Sequence, residues 1–391
     1  MKAAWVVFLK EVMENLRDRR TVTNALLMAP LLGPLLFVGL TSIVISKELE
    51  KSEQALSVPV IGAEHAPNLV AFLGQNGVRV KPAIDNPEAA IIAQDVDMVL
   101  RIPAGYGEAW SAGRTAQVEL LFDSSQRESG TPVARLRGVL SRYASQNSTM
   151  RLLARGLAPS VAMPLAVAER DQSTPQSRSG LLFAMLPYFL ILSSFMGGMY
   201  LAIDTTAGER ERQSLEPLFA NPVTRSAILT GKLAATCTFA MASLALSVIA
   251  FGLAGPLIPS GKIGMVLDFG PTFAVTVLVM MLPLVLLASC LQTLIAAFAK
   301  SYREAQTYLS VLLLIPALPS MMLVVSPIKA KLWMYAVPLL SQHLAITRLV
   351  RAEGIEPAQL GLCLASGFVV ALVAWAVTAR VYRSERLAIS G

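Results

Sequence analysis

The sequence predicts an all-α polytopic membrane protein of six transmembrane helices, with an extracytoplasmic α/β domain inserted between the first and second. Three observations predict it. Of 391 residues, 54% are hydrophobic and 15% charged, and the mean hydropathy is +0.57, which excludes an ordinary soluble chain. Six runs without a charged residue, 21–46, 179–203, 233–261, 269–299, 305–328 and 357–379, each exceed the ~20 residues that a helix needs to cross a ~30 Å hydrocarbon core. Between the first two runs lies a segment, 47–178, with 14 bases and 14 acids and the rhythm of a folded domain.

Residues 1–20 read as an amphipathic helix lying in the cytoplasmic interface. Trp5, Phe8, Leu9, Val12, Met13 and Leu16 recur at helical spacing on one face, with Lys10, Glu11, Glu14 and Arg17 largely on the other. Residues 21–46 form the first transmembrane helix. The run is longer than the roughly 7 to 15 residues of a signal-peptide core and is followed by "ISKELE" rather than a small-residue cleavage site, so it is expected to stay as an anchor.

Lys and Arg number 14 in 1–20, 204–232, 300–304 and 380–391, against five in the short loops of the opposite side. This bias puts both termini in the cytoplasm and 47–178 outside. The net charge of +7 then reports topology, and nucleic acid is not implied. All three cysteines, Cys237, Cys290 and Cys363, fall within the apolar runs, which leaves no disulfide framework.

In 47–178, β-prone runs at 58–63, 77–82, 96–103 and 117–123 alternate with helical segments at 66–75, 87–94 and 104–112, followed by a long helix from about Thr131 to Gly156. Residues 179–391 carry helices two to six. Within them, 331–351 is apolar but interrupted by Pro338 and too short to cross twice, which predicts an outer re-entrant hairpin.

The segment 204–232 carries most of the information. "GERERQSLEPLFANPVTRSAILTGK" holds seven charged residues, and each charge at mid-membrane depth costs roughly 2.5–3.5 kcal/mol, so it must protrude on the cytoplasmic side. Residues 209–219 read as a short helix with an apolar ridge of Leu215, Leu218 and Phe219. Pro222 breaks it, and Thr224 is placed to cap the helix that enters the third span.

This stretch resembles the signature cytoplasmic loop of ABC-2 type exporter permeases, through Gly208, Glu209, Arg210, Glu211, Ser214, Leu215, Glu216, Leu218, Pro222, Val223, Arg225, Ile228, Gly231 and Lys232. The amphipathic start, 99–125, 298–308 and the Pro-interrupted region resemble the sodium-efflux branch of that family, so the likeness covers the whole chain. The resemblance implies a permease of the bacterial cytoplasmic membrane, working as a two-fold dimer with a second copy or a paralogue and with two ATPase subunits. In such a permease Gly208, Glu209, Arg210, Glu211, Arg212, Leu215, Glu216, Leu218, Pro222, Arg225 and Lys232 form the ATPase-coupling contact. ATP and Mg would be bound by the partner, and no cofactor by this chain.

The residues agree that the chain carries no motor. A phosphate cradle, G-x-x-x-x-G-K-[ST], fails at both Gly-Lys pairs: Ser226 and Pro256 stand at the first glycine's place, and Leu233 and Ile263 replace the hydroxyl. The two histidines, His65 and His343, form no metal or nucleophile pattern, and no metal site is expected. Candidate translocation-path residues are polar groups in the spans, Ser193, Ser194 and Gln292, with Asp204 at the inner end of the second span. Helix packing explains the uncharged three as well, and an interfacial anchor is the commoner role for a residue placed like Asp204. The expected function is an exporter subunit moving sodium or a hydrophobic compound outward. The alternative is a membrane-anchored sensor or scaffold whose outer domain binds a ligand.

Overall fold

A computed structural model describes residues 2–53, 55–126, 129–161, 185–215, 217, 221–258, 269–325 and 329–383. The chain divides into two compact units. One comprises Met1–Ser46 with Gln172–Gly391, and the other Lys47–Asp171.

The first unit is helical. Among the described residues six helices are long and apolar enough to cross a membrane: Arg19–Ser46, Leu186–Glu211, Arg225–Leu257, Pro271–Phe298, Tyr302–Leu323 and Pro357–Arg383. The N-terminal helix Lys2–Arg17 is separate from the first span. Asp18 ends it in an extended conformation and caps the next, its carboxylate accepting from the backbone N–H of Arg20 and Thr21 at 3.1 Å each. The N-terminal helix packs on the third span and leaves Trp5, Val6, Met13 and Leu16 exposed, an apolar face suited to the membrane interface.

The second span is the innermost. Fourteen of its residues between Leu186 and Ile203 are buried. Close approach needs small residues, because in lipid packing and hydrogen bonds replace the hydrophobic drive. A Cβ on Gly197 would collide with the Ser243 side chain of the third span.

Two helix boundaries differ from the sequence expectation, each for a physical reason. The second span does not stop at Ile203: a π-helical turn, Asp204–Gly208, carries it on to Glu211, because the charges there find partners within the bundle. The third begins at Arg225, where the Thr224 cap position puts it, with Lys232 inside it. The fifth is broken into Tyr302–Leu312 and Ala317–Val325. Pro316 has no N–H to donate and disfavours helical geometry in the residue before it, and Ile315 and Ala317 bond back only three residues, to Leu312 and Leu314, at 3.1 Å. The first span also holds a π turn, Thr23–Met28. Residues 179–184, 259–261 and 326–328, expected in spans, lie outside the described residues, as do 162–178 of the expected outer domain.

Within 331–351, a 3-10 turn, Leu332–Ala336, precedes an 11-residue helix, Leu340–Val350, about half the length needed to cross. Gln342 and His343 are buried there. The Ser320 hydroxyl of the broken fifth helix lies 3.0 Å from His343 Nδ1.

The unit Lys47–Asp171 is an α/β fold with the predicted element order. Strands β1 (Leu56–Ile61), β2 (Val78–Lys81), β3 (Met98–Arg101) and β4 (Glu119–Phe122) form a sheet ordered β2-β1-β3-β4. β1 runs parallel to β2 and β3, and β4 antiparallel to β3. The helices Pro67–Gln75 and Pro87–Ile92 make the crossovers that parallel strands require. The long helix Gly130–Ala154 buries Val133, Leu136 and Val139 against a core containing Val58, Leu73 and Leu100. Leu136 has no exposed surface. Leu136→Ala is therefore expected to destabilise this unit by about 2–5 kcal/mol through the cavity it leaves. Hydrogen exchange on the full chain should show faster exchange in β1 and β3, with the spans unchanged.

Candidate functional site

Where the second span leaves the apolar region, four consecutive residues, Glu209, Arg210, Glu211 and Arg212, are charged. Successive helical side chains step round the axis by about 100°, so the four point in different directions, and each finds a different partner.

Glu209 faces inward. It is 5% exposed and paired with Lys232, which has no exposed surface. The Lys232 ammonium also donates to the Thr205 carbonyl at 2.6 Å. The π turn provides that acceptor. In an α-helix the Glu209 N–H would bond the Thr205 carbonyl, but here it donates to Asp204 and Thr206, leaving the intervening oxygen to Lys232. Gly231 completes the arrangement: a Cβ there would stand 2.6 Å from the Ala4 carbonyl and 2.8 Å from Val7 Cβ. Only glycine lets the N-terminal helix cross the third span at this level.

That helix contributes two further charges. Lys10 Nζ lies 3.2 Å from Glu11, 3.3 Å from Glu14 and 3.4 Å from Glu209, and Glu11 is 2% exposed. Burial raises the Glu11 carboxyl above its usual range against the pull of Lys232 and Lys10, and Glu209 adds to the rise. Burial alone would lower the Lys10 ammonium, but Glu11, Glu209 and Glu14 hold it above its usual value.

The other three charges tie the same helix end elsewhere. Arg210 Nη1 donates to the Ala299 carbonyl at 3.4 Å, where the fourth span ends. Glu211 accepts the Tyr302 backbone N–H at 2.7 Å, at the start of the fifth. Arg212 donates to Asp204 Oδ1 at 3.0 Å from both terminal nitrogens. Arg20, from the start of the first span, lies over the Tyr302 ring at 5.2 Å. The chain then turns at Gln213, with φ 56°, so 209–219 is not one helix as expected.

Of the residues expected at the coupling contact, Gly208, Glu209, Leu215 and Lys232 are therefore buried, Arg210 and Arg225 half-buried, and Glu211, Arg212 and Pro222 exposed. Glu216 and Leu218 lie outside the described residues. Thr224 does stand at the helix start in extended conformation, but its side chain closes no cap.

The sequence-predicted path residues fall in a packing seam. Ser193 bonds the Ser243 carbonyl at 3.3 Å, Ser194 its own helix at Ile191 at 2.7 Å, and Gln292 Nε2 the Phe195 carbonyl at 2.7 Å. Asp204 is not with them, since it pairs with Arg212. Among the described residues no cluster of His, Cys, Asp or Glu could hold a metal ion.

Sequence reasoning missed Lys10 and Glu11 as members of the site, and missed that Lys232 is buried. The signal was present in "SAILTGKLAATCTFA": a lysine with no other charge in its apolar surroundings needs a buried counter-charge.

Residues 25–378 match the family described as ABC-2 family transporter protein. The chain is also similar to the ABC transporter permease protein NatB of Bacillus subtilis (strain 168), with 24% identity over 375 residues, 94% of each chain.

Two outcomes are expected. Lys232→Met or Glu209→Gln alone strands one buried charge and should destabilise by about 3–5 kcal/mol, whereas the double substitution recovers most of the loss; melts in detergent measure the cycle. Because the Glu11 carboxyl is raised, the folded chain keeps a proton that the unfolded chain releases near the ordinary carboxylate value of ~4.3. Its contribution is full below that value and drains as pH rises towards the native one. Glu11→Gln, which keeps the neutral form, should flatten that decline in a series of melts against pH.

Proposed function

The chain belongs to the ABC-2 transporter family, and from that premise we propose that it is the permease subunit of an ATP-driven exporter whose hydrolysis takes place on a separate ATPase chain. As a member of that family it is a transport membrane subunit and not itself catalytic. Membership implies an ATPase partner subunit. The working assembly in this reading is a homodimer with two ATPases, both termini cytoplasmic and the unit Lys47–Asp171 outside. The cargo is sodium or a hydrophobic compound, moved outward.

The observation that supports this reading is the anchoring of Glu209–Arg212 to four separate places: the third span with the N-terminal helix, the end of the fourth, the start of the fifth and the second span itself. A bundle end tied in this way moves as one body. A push on the exposed surface beside it, Arg212, Gln213 and Pro222, reaches several spans at once instead of bending one. The buried members, Glu209 and Lys232, transmit the displacement, and the exposed members meet the ATPase. No step of the cycle needs a nucleotide on this chain.

Site-directed cross-linking tests the contact. In a background without the three native cysteines, Gln213→Cys is expected to cross-link to the co-expressed ATPase subunit, and an impermeant thiol reagent should reach it only from the cytoplasmic side. Glu211→Lys, which repels the Tyr302 N–H it now accepts from, should lower permease-stimulated ATP hydrolysis in proteoliposomes by about tenfold, some 1.4 kcal/mol of coupling. Labelling of Gln213→Cys from the outer face, or hydrolysis indifferent to the permease, would overturn the assignment.

A further inference from the structure

Away from the charge knot, the third, fourth and sixth spans enclose a groove of about 310 Å³, walled by Thr230, Leu233, Cys290, Phe368, Leu372 and Trp375 among others. Its polar resources are few. The Thr230 hydroxyl is already committed to the Ser226 carbonyl at 2.8 Å, and a thiol is a weak hydrogen-bonding group. The slot opens on the outside of the bundle, where Leu372 is 63% exposed.

One end of the slot is basic. On the sixth span Phe368, Leu372 and Trp375 follow one another at helical spacing, and the same stripe continues to Ala379 and Arg383. On the third span the turn before Thr230 carries Ser226 and Arg225. The two helix ends meet, as Arg225 Nη1 donates to the Arg383 carbonyl at 3.1 Å. Arg383 is exposed at this rim, and Arg380, one turn before it on the same helix, is exposed as well.

We propose that the groove binds an acyl chain of an anionic phospholipid, with its phosphate held at the rim by Arg380 and Arg383 beside Arg225. A polar solute finds no free donors along the walls. A neutral apolar solute would leave the guanidinium rim unused. A lipid of the leaflet adjoining the basic helix ends satisfies both parts, its chain in the slot and its charge at the forked donors that match a phosphate. The inference is independent of the cargo and of the ATPase, since occupancy requires no nucleotide.

Trp375, in the wall, reports occupancy. The full chain carrying Trp5→Phe and Trp333→Phe is reconstituted in phosphatidylcholine vesicles doped with dibrominated phosphatidylglycerol or dibrominated phosphatidylcholine. The same chain with Trp375→Phe added supplies the signal of Trp110, which is subtracted. Phosphatidylglycerol is expected to half-quench Trp375 at about a fivefold lower mole fraction than phosphatidylcholine, the preference given by a single cationic side chain at a membrane surface. Arg380→Gln with Arg383→Gln should abolish the preference, while the corresponding lysine pair retains much of it. Equal quenching by the two lipids overturns the headgroup assignment. A Trp375 signal that neither lipid quenches overturns the site altogether.

Discussion

A lysine ammonium without exposed surface, in a helix that crosses an apolar medium, stays charged only if opposite charge and acceptors are brought to it. Lys232 sets that requirement, and the surrounding structure meets it. The carboxylate comes from Glu209 and the second acceptor from the Thr205 carbonyl. The carbonyl is available because the second span widens there into a π turn. The N-terminal helix closes the site from the other side, with Gly231 admitting its backbone. One buried charge thus accounts for a non-α turn, a glycine and the docking of a separate helix.

The alternation of acids and bases in Glu209–Arg212 follows from the same geometry. Were the four residues only a solvated face, their order would be of little consequence. As observed, the acids take a buried ammonium and a backbone N–H, and the bases take a carbonyl and Asp204. Exchanging neighbouring signs would set like groups against each other at every tie. Individual surface ion pairs contribute little; here the contribution lies in joining several chain segments at one level.

Much of the fold was legible in the sequence. The four strands and the helices of Lys47–Asp171 lie close to where alternation and helical spacing placed them, since that unit has its own core and local pattern agrees with tertiary position. The six spans were legible from length and apolarity alone. The inner ends were not. Reading each charge as a sign of solvent stops the second span at Ile203 and leaves Lys232, at the foot of the third helix, in the cytosolic loop, whereas Glu209 and Lys232 satisfy one another inside the bundle. The break in the fifth span is signalled by Pro316, a cue that the absence of charge along the run outweighs when spans are read by apolarity. The roles of Lys10 and Glu11 depend on a contact between segments some 200 residues apart, which no local pattern carries.

The π turn at Asp204–Gly208 also affects phase. A regular helix is a screw in which one added residue rotates everything beyond it by about 100°. A wide turn already absorbs such a residue, so side-chain rows above and below it do not line up as they would along an unbroken rod. The apolar rows of Leu186–Ile203 address the third and fourth spans, while the charges beyond the turn are re-aimed at the ends of the fourth and fifth and at the N-terminal helix. A single-residue deletion within 204–208 would let the turn close into regular helix with the four charges nearly in place, yet it would return the Thr205 carbonyl to the helix ladder and strip the Lys232 ammonium of its second acceptor.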